Sequence, residues 1–249
     1  MCVFFYIRSS IVEVKLSHGA TMNVVLASKS NNKHRAVIIL PGGGYSSLAK
    51  GREGYMWIPF FHKQGYTVAV LEYRMPHQNY KVPYNDAADA IRFMREYAKR
   101  WNYAGDSIGI MGFSAGGHLA STMIVSKKDS IRPNFAILFY PVISMRKDLT
   151  HMDSHDNLLG KDASEELEMQ LSNELHVSDN TPSTFIALSS DDELVDPQNS
   201  ILFYKVMRAK GCEVSLHEYP SGGHGWSNNR SFKYHERMIR DLKGWLDER

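Results

Sequence analysis

The chain has 249 residues, of which 43% are hydrophobic and 22% charged, and its formal net charge is +2. That length suits one large domain or two small ones and is enough to bury a sizeable core. The near-neutral balance, with bases interspersed among acids, gives no reason to expect nucleic acid or an anionic membrane as a partner.

At the N-terminus, CVFFYI (2–7) is too short for a signal-peptide core and has no basic stretch before it. No run approaches the roughly 20 apolar residues of a membrane span. The only cysteines, Cys2 and Cys212, make no disulfide framework, so a reducing, cytoplasmic location is expected. IVEVKL (11–16) and MNVVLA (22–27) alternate in the manner of half-exposed antiparallel strands. AVIILP (36–41), TVAVLEY (67–73), SIGIMGF (107–113), FAILFYP (135–141) and TFIALS (184–189) are nearly continuous in apolar residues, and EVSLHEYP (213–220) closes the series. Such runs fit strands covered on both faces.

Helical spacing fills the intervals. It links Ala87, Ala90, Ile91, Met94, Tyr97, Ala98 and Trp101 within 84–101, and Ile201, Leu202, Val206 and Met207 within 197–210. It returns in Met238, Ile239, Leu242, Trp245 and Leu246 within 229–248. Strand alternating with helix predicts an α/β fold: a mostly parallel sheet of about eight strands with helices on both faces. Residues 144–182 break the rhythm, being polar with one short helical pattern near 164–172. They are expected to form a small cap-like excursion within a single domain spanning 1–249.

Four motifs carry chemistry. Gly112-Phe113-Ser114-Ala115-Gly116 has the G-x-S-x-G pattern of a nucleophile elbow, between a predicted strand and a predicted helix start. A serine on such a turn needs small neighbours two positions either side, and its hydroxyl then projects above the sheet. The hydroxyl needs a base. His118, four residues on, points along the new helix and away from that hydroxyl, so it is expected to pack or hydrogen-bond beneath the turn. His224 in Gly222-Gly223-His224-Gly225-Trp226 follows the last predicted strand and is the expected base, while His217 lies within that strand.

The acid that orients the base is expected in SSDDELVD after TFIALS. Asp192 is the choice and Asp191 the alternative, in the chain order Ser…Asp…His. Pro41-Gly42-Gly43-Gly44-Tyr45 follows the strand AVIIL. The N–H of Gly43 or Gly44, with that of Ala115, could hold the negative charge that acyl transfer places on a carbonyl oxygen. Tyr45 and Trp226, beside these loops, are candidates for stacking on substrate. His151-x-Asp153-x-His155 has a metal-like spacing without a third strong ligand nearby, so no metal is expected, and the motif set calls for no cofactor.

These motifs, with Glu72-Tyr73-Arg74, the PxxDA of Pro83–Ala87, Leu158-Leu159-Gly160 and Asp191–Val195, resemble the α/β-hydrolase esterases of the acetyl esterase and acetylxylan esterase type over roughly residues 20–247. The resemblance implies a serine esterase that removes acetyl or other short acyl groups, often from xylan-derived sugars. It makes Ser114 the nucleophile, His224 the base and Asp192 the acid, although Asp196 replaces the proline that usually follows Val195. The expected partner is a small-molecule or oligosaccharide ester substrate. A peptidase, amidase or lipase on the same three residues is the alternative within enzymes, and a non-catalytic binding protein on a hydrolase scaffold the alternative outside them.

Overall fold

In a computed structural model, residues 6–8 and 11–249 are described, with side chains from residue 11 onward. Cys2 and the first residues of CVFFYI therefore lie outside the described residues. Nine strands form one sheet among them: β1 (Tyr6–Arg8), β2 (Ile11–Lys15), β3 (Thr21–Val25), β4 (Arg35–Leu40), β5 (Tyr66–Glu72), β6 (Ile108–Phe113), β7 (Phe135–Phe139), β8 (Thr184–Ser189) and β9 (Val214–Tyr219). Their spatial order is β1-β2-β3-β5-β4-β6-β7-β8-β9. The first three are antiparallel to their neighbours, and the six from β5 to β9 run parallel. Eight of these strands fall on the apolar runs of the sequence. The ninth is the three-residue edge strand β1, too short to carry a pattern.

Helices cover both faces: α1 (Lys50–Glu53), α2 (Ile58–Lys63), α3 (Lys81–Tyr97), α4 (Ser114–Ile124), α5 (Met152–Leu159), α6 (Glu165–Gln170), α7 (Gln198–Ala209) and α8 (His235–Asp247). Alternate residues of each parallel strand serve opposite faces, because successive side chains of a strand point apart. Ile38 and Leu40 of β4 pack with Ala87, Ile91 and Met94 of α3, Leu119 and Met123 of α4, and Phe203 and Met207 of α7. Val37 and Ile39 pack on the other side with Phe61 of α2 and with Met238, Leu242 and Trp245 of α8. The result is the α/β-hydrolase architecture. Among the described residues no helix is long and apolar enough to cross a membrane.

Residues 144–182 hold more structure than the single helical pattern expected. α5 and α6 are followed by a 3-10 turn at Asn173–His176. The polar sequence of α5 hides its inner face, which buries His155 completely between Asp156 (Nδ1···Oδ1, 2.9 Å) and Glu168 (Nε2···Oε1, 3.1 Å). Apolar periodicity registers only Leu158 and Leu159 on this helix, because the rest of its inner face is a hydrogen-bonded histidine and a serine.

Chain reversal places the functional loops. From β4 the chain passes to β5 on one side and then to β6 on the other, so the loops after β4 and β6 leave neighbouring strands at the carboxyl edge of the sheet. A crevice opens at such a switch point, and ligands of open α/β sheets bind there.

Candidate active site

Ser114 stands where β6 becomes α4. Its φ of 51° is in the left-handed region, which costs a side-chain-bearing residue free energy and survives because the surroundings fix the turn. The flanking glycines explain how. A Cβ on Gly112 would lie 2.3 Å from the Gly116 carbonyl oxygen, and one on Gly116 would lie 2.2 Å from the Leu40 and 2.4 Å from the Pro41 carbonyl oxygen. Strand, helix start and the loop after β4 therefore pack backbone against backbone around the serine.

His224, 110 residues later, reaches the serine from the loop after β9. Its Nε2 lies 2.9 Å from Ser114 Oγ, and its Nδ1 lies 2.7 Å from Asp192 Oδ2. A carboxylate only accepts, so Nδ1 carries the proton and Nε2 is left with a lone pair for the serine hydroxyl. The Asp192 side chain is 2% exposed, and its Oδ1 accepts the N–H groups of Leu194 and Val195, both at 3.0 Å. Asp191 faces the other way. Its exposed carboxylate accepts the N–H groups of Gly222 and Gly223 at 3.2 and 2.8 Å, bracing the glycine loop that carries His224. Those backbone donors hold the Asp191 carboxyl below the ordinary range.

Gly43 and Gly44 line the same cavity as Ser114 and His224. Among the described residues, no acceptor pairs with the N–H of Gly43, Gly44 or Ala115. Ala115 opens α4, where the first N–H groups have no partner within the helix. Loop shape depends on glycine here: Gly43 and Gly44 have φ of 129° and 61°, and a Cβ on Gly43 would meet the Ser47 carbonyl oxygen at 2.2 Å. The Tyr73 hydroxyl donates to the Pro41 carbonyl at 2.7 Å, and Asn157 Nδ2 donates to the Gly44 carbonyl at 2.9 Å. Below Tyr73, Arg74 forks onto the fully buried carboxylate of Asp86, joining the EYR and PxxDA motifs (Nη2···Oδ1, 2.8 Å).

Two expected substrate contacts are corrected. Tyr45 is 2% exposed and Trp226 5%, and neither lines the cavity. Trp226 stacks on Phe232 with ring centroids 4.2 Å apart. The Tyr45 hydroxyl lies 2.9 Å from His118 Nδ1, and His118 Nε2 lies 2.8 Å from the Leu171 carbonyl oxygen. A carbonyl only accepts, so His118 is neutral, donating from Nε2 and accepting at Nδ1. Burial pushes its pKa down to about 4. It is a strut between Tyr45 in the loop after β4 and Leu171 just after α6, as its position on the helix led one to expect.

The cavity has a volume of about 330 Å³. Ser46, Ser47, Arg52, His151, Asp153 and Asn157 give its wall polar side chains, and among the described residues Leu194 is its one large apolar side chain. His151 and Asp153 thus face the cavity from the start of α5, while His155 is buried elsewhere, which takes the three apart as a metal set. Glu53, 3% exposed, also lines the cavity. Nothing in the sequence announced it, since Lys50-Gly51-Arg52-Glu53-Gly54 reads as a solvated charged turn.

Residues 22–207 match the BD-FAE family. An acetylxylan esterase from Xylanibacter ruminicola is 40% identical over 237 residues, covering 94% of this chain and 49% of that protein. Endo-1,4-beta-xylanase B from Butyrivibrio fibrisolvens is 35% identical over 208 residues, covering 78% of this chain and 32% of that protein. The chain thus spans half or less of the length of these curated relatives. Among solved structures, an acetyl ester-xyloside bifunctional hydrolase from Caldicellulosiruptor lactoaceticus superposes with a TM-score of 0.84 at 32% identity, covering 91% of this chain and 88% of that one.

Proposed function

The chain belongs to the BD-FAE family, and from that membership and the geometry of the cavity we propose that it is a serine carboxylesterase acting on acetylated carbohydrate. Ser114 Oγ attacks the ester carbonyl while His224 Nε2 takes its proton. The N–H of Gly43 or Gly44 and that of Ala115 hold the oxyanion of the tetrahedral intermediate. The imidazolium returns the proton to the leaving alcohol oxygen, and the acyl group stays on Ser114. Water attacks the acyl-enzyme by the same route and releases the acid. Asp192 keeps the proton on His224 Nδ1 and steadies the charge that forms on the ring.

The single observation that carries this reading is the position of His224 between a serine and a buried aspartate, at 2.9 and 2.7 Å. The polar wall of the cavity supports a hydroxyl-rich alcohol portion. With Leu194 as its one large apolar side chain, it offers no apolar channel for a long acyl chain, which favours acetyl over fatty esters. The names of the relatives, acetylxylan esterase and acetyl ester-xyloside hydrolase, point to the same substrate class.

One panel tests it: acetylated xylo-oligosaccharides, 4-nitrophenyl esters from acetyl to longer acyl chains, and aminoacyl anilides. Acetate release from the xylo-oligosaccharides is expected, with kcat/KM on the 4-nitrophenyl esters falling about tenfold or more beyond a four-carbon acyl chain. Turnover of the anilides or long-chain esters above the acetyl substrates would assign the site to a peptidase or lipase instead.

A further inference from the structure

Glu53 is a buried carboxyl group that the acyl transfer described above does not use. Its Oε2 accepts the Gly42 N–H at 2.8 Å, one residue before the candidate oxyanion donor Gly43. Its Oε1 accepts the Tyr140 hydroxyl at 2.9 Å. The Tyr140 ring packs in turn on the His224 imidazole, with ring centroids 4.6 Å apart, and its backbone holds a left-handed φ of 36°. A Cβ on Gly42 would lie 2.7 Å from Glu53 Oε2 and 2.9 Å from Ser114 Cβ. Carboxylate, loop and nucleophile are therefore one packed unit, and a second arm of that unit ends on the base.

Both carboxylate oxygens accept hydrogen bonds, which favours the ionised form. Burial opposes it and raises the carboxyl's pKa, while the bonds from Tyr140 and Gly42 and the charges of His224 and Arg52 pull it back. Burial and the Glu53 charge together push the Tyr73 and Tyr140 hydroxyls up, so both keep their protons. Asp192, which is hydrogen-bonded to the imidazole, and Arg52, His151 and Asp153, which line the same cavity, are the other charged or titratable groups on that side among the described residues. Glu53 thus lines the same cavity as His224 and is linked to the imidazole through Tyr140.

We infer that Glu53 is a positioning residue whose charge favours the His224 imidazolium and whose two hydrogen bonds hold the Gly42 loop and Tyr140 against the reacting groups. This role rests on the esterase reading above. No bond forms or breaks at Glu53. The proton travels from Ser114 Oγ to His224 Nε2 and on to the leaving oxygen.

Glu53→Gln keeps the size and an oxygen for the Gly42 N–H but removes the charge. Two readouts are expected to move together: the acid limb of kcat/KM for 4-nitrophenyl acetate and the His224 imidazole titration followed by 15N NMR. Both should shift to lower pH by at least about half a unit, and plateau kcat should fall about tenfold. Tyr140→Phe leaves the ring on His224 but removes one of the two hydrogen bonds that favour the charged form of Glu53, so it should shift both in the same direction by less. It also supplies the answer if Glu53→Gln does not fold. An unchanged His224 titration in the folded variants would overturn the inference, as would a loss of kcat with no movement of the acid limb. The NMR titration needs no turnover, so an inactive wild type would count against the esterase reading alone.

Discussion

Asp191 and Asp192 are neighbours with the same side chain, and the fold gives them opposite work. Asp192 is buried, accepts two backbone N–H groups on one oxygen and meets His224 Nδ1 with the other. Asp191 is exposed and ties down Gly222 and Gly223. An Asp192→Asn variant can present its amide nitrogen to Nδ1, which then favours the wrong imidazole tautomer. Its kcat on 4-nitrophenyl acetate should drop about 10³- to 10⁴-fold, by analogy with the loss measured for the triad aspartate of a serine protease. Asp191→Asn loosens only the loop and should cost tenfold or less. Equal losses in steady-state kinetics would assign the two aspartates wrongly. At this scale the sequence favoured Asp192 but kept Asp191 as an alternative, because nothing local distinguishes an inward from an outward aspartate at a strand end.

The strand-turn-helix unit of β6, Ser114 and α4 is where local rules and tertiary packing agree most fully. Gly116 sits against the Leu40 and Pro41 carbonyls, and those atoms are backbone that cannot swing aside. Gly116→Ala is therefore expected to destabilise the fold by about 3 kcal/mol or more, read as a drop in the midpoint of urea unfolding. A stability within about 1 kcal/mol of wild type would mean that the elbow can open without loss. This unit was legible in the sequence because small residues at fixed offsets are its physical requirement. The parallel strands were legible for a similar reason, since burial on both faces demands continuous apolar runs. α2 and α5 were not. α2 is six residues long with a proline in its first turn, and the inner face of α5 mixes Ser154 and a hydrogen-bonded His155 with only Leu158 and Leu159. Glu53 escaped for the same reason as α5, since a carboxylate that is hydrogen-bonded indoors looks in sequence like one in water.

Across the whole molecule, the site exists because five parallel strands end along one edge of the sheet. β4 delivers the glycine loop, β6 the serine, β7 Tyr140, β8 the aspartate and β9 the histidine, and the segment 144–182 adds His151, Asp153 and Asn157 to the wall. Every helix on either face holds those edges in register without touching the cavity, apart from α1, α4 and α5, which place Glu53, Ser114 and the cap residues. Order along the chain and position at strand ends were readable before any geometry. The shape of the cavity was not, because its polar wall comes from the cap and from α1, the parts of the sequence with the least pattern. The proposal that Ser114 is a nucleophile activated by His224 is tested most directly by covalent labelling. The folded chain should react with a fluorophosphonate probe, and peptide mass spectrometry should place one adduct on Ser114. Labelling should vanish in Ser114→Ala and slow by about 10³-fold or more in His224→Ala. An unlabelled wild type, or an adduct that persists in Ser114→Ala, would contradict it.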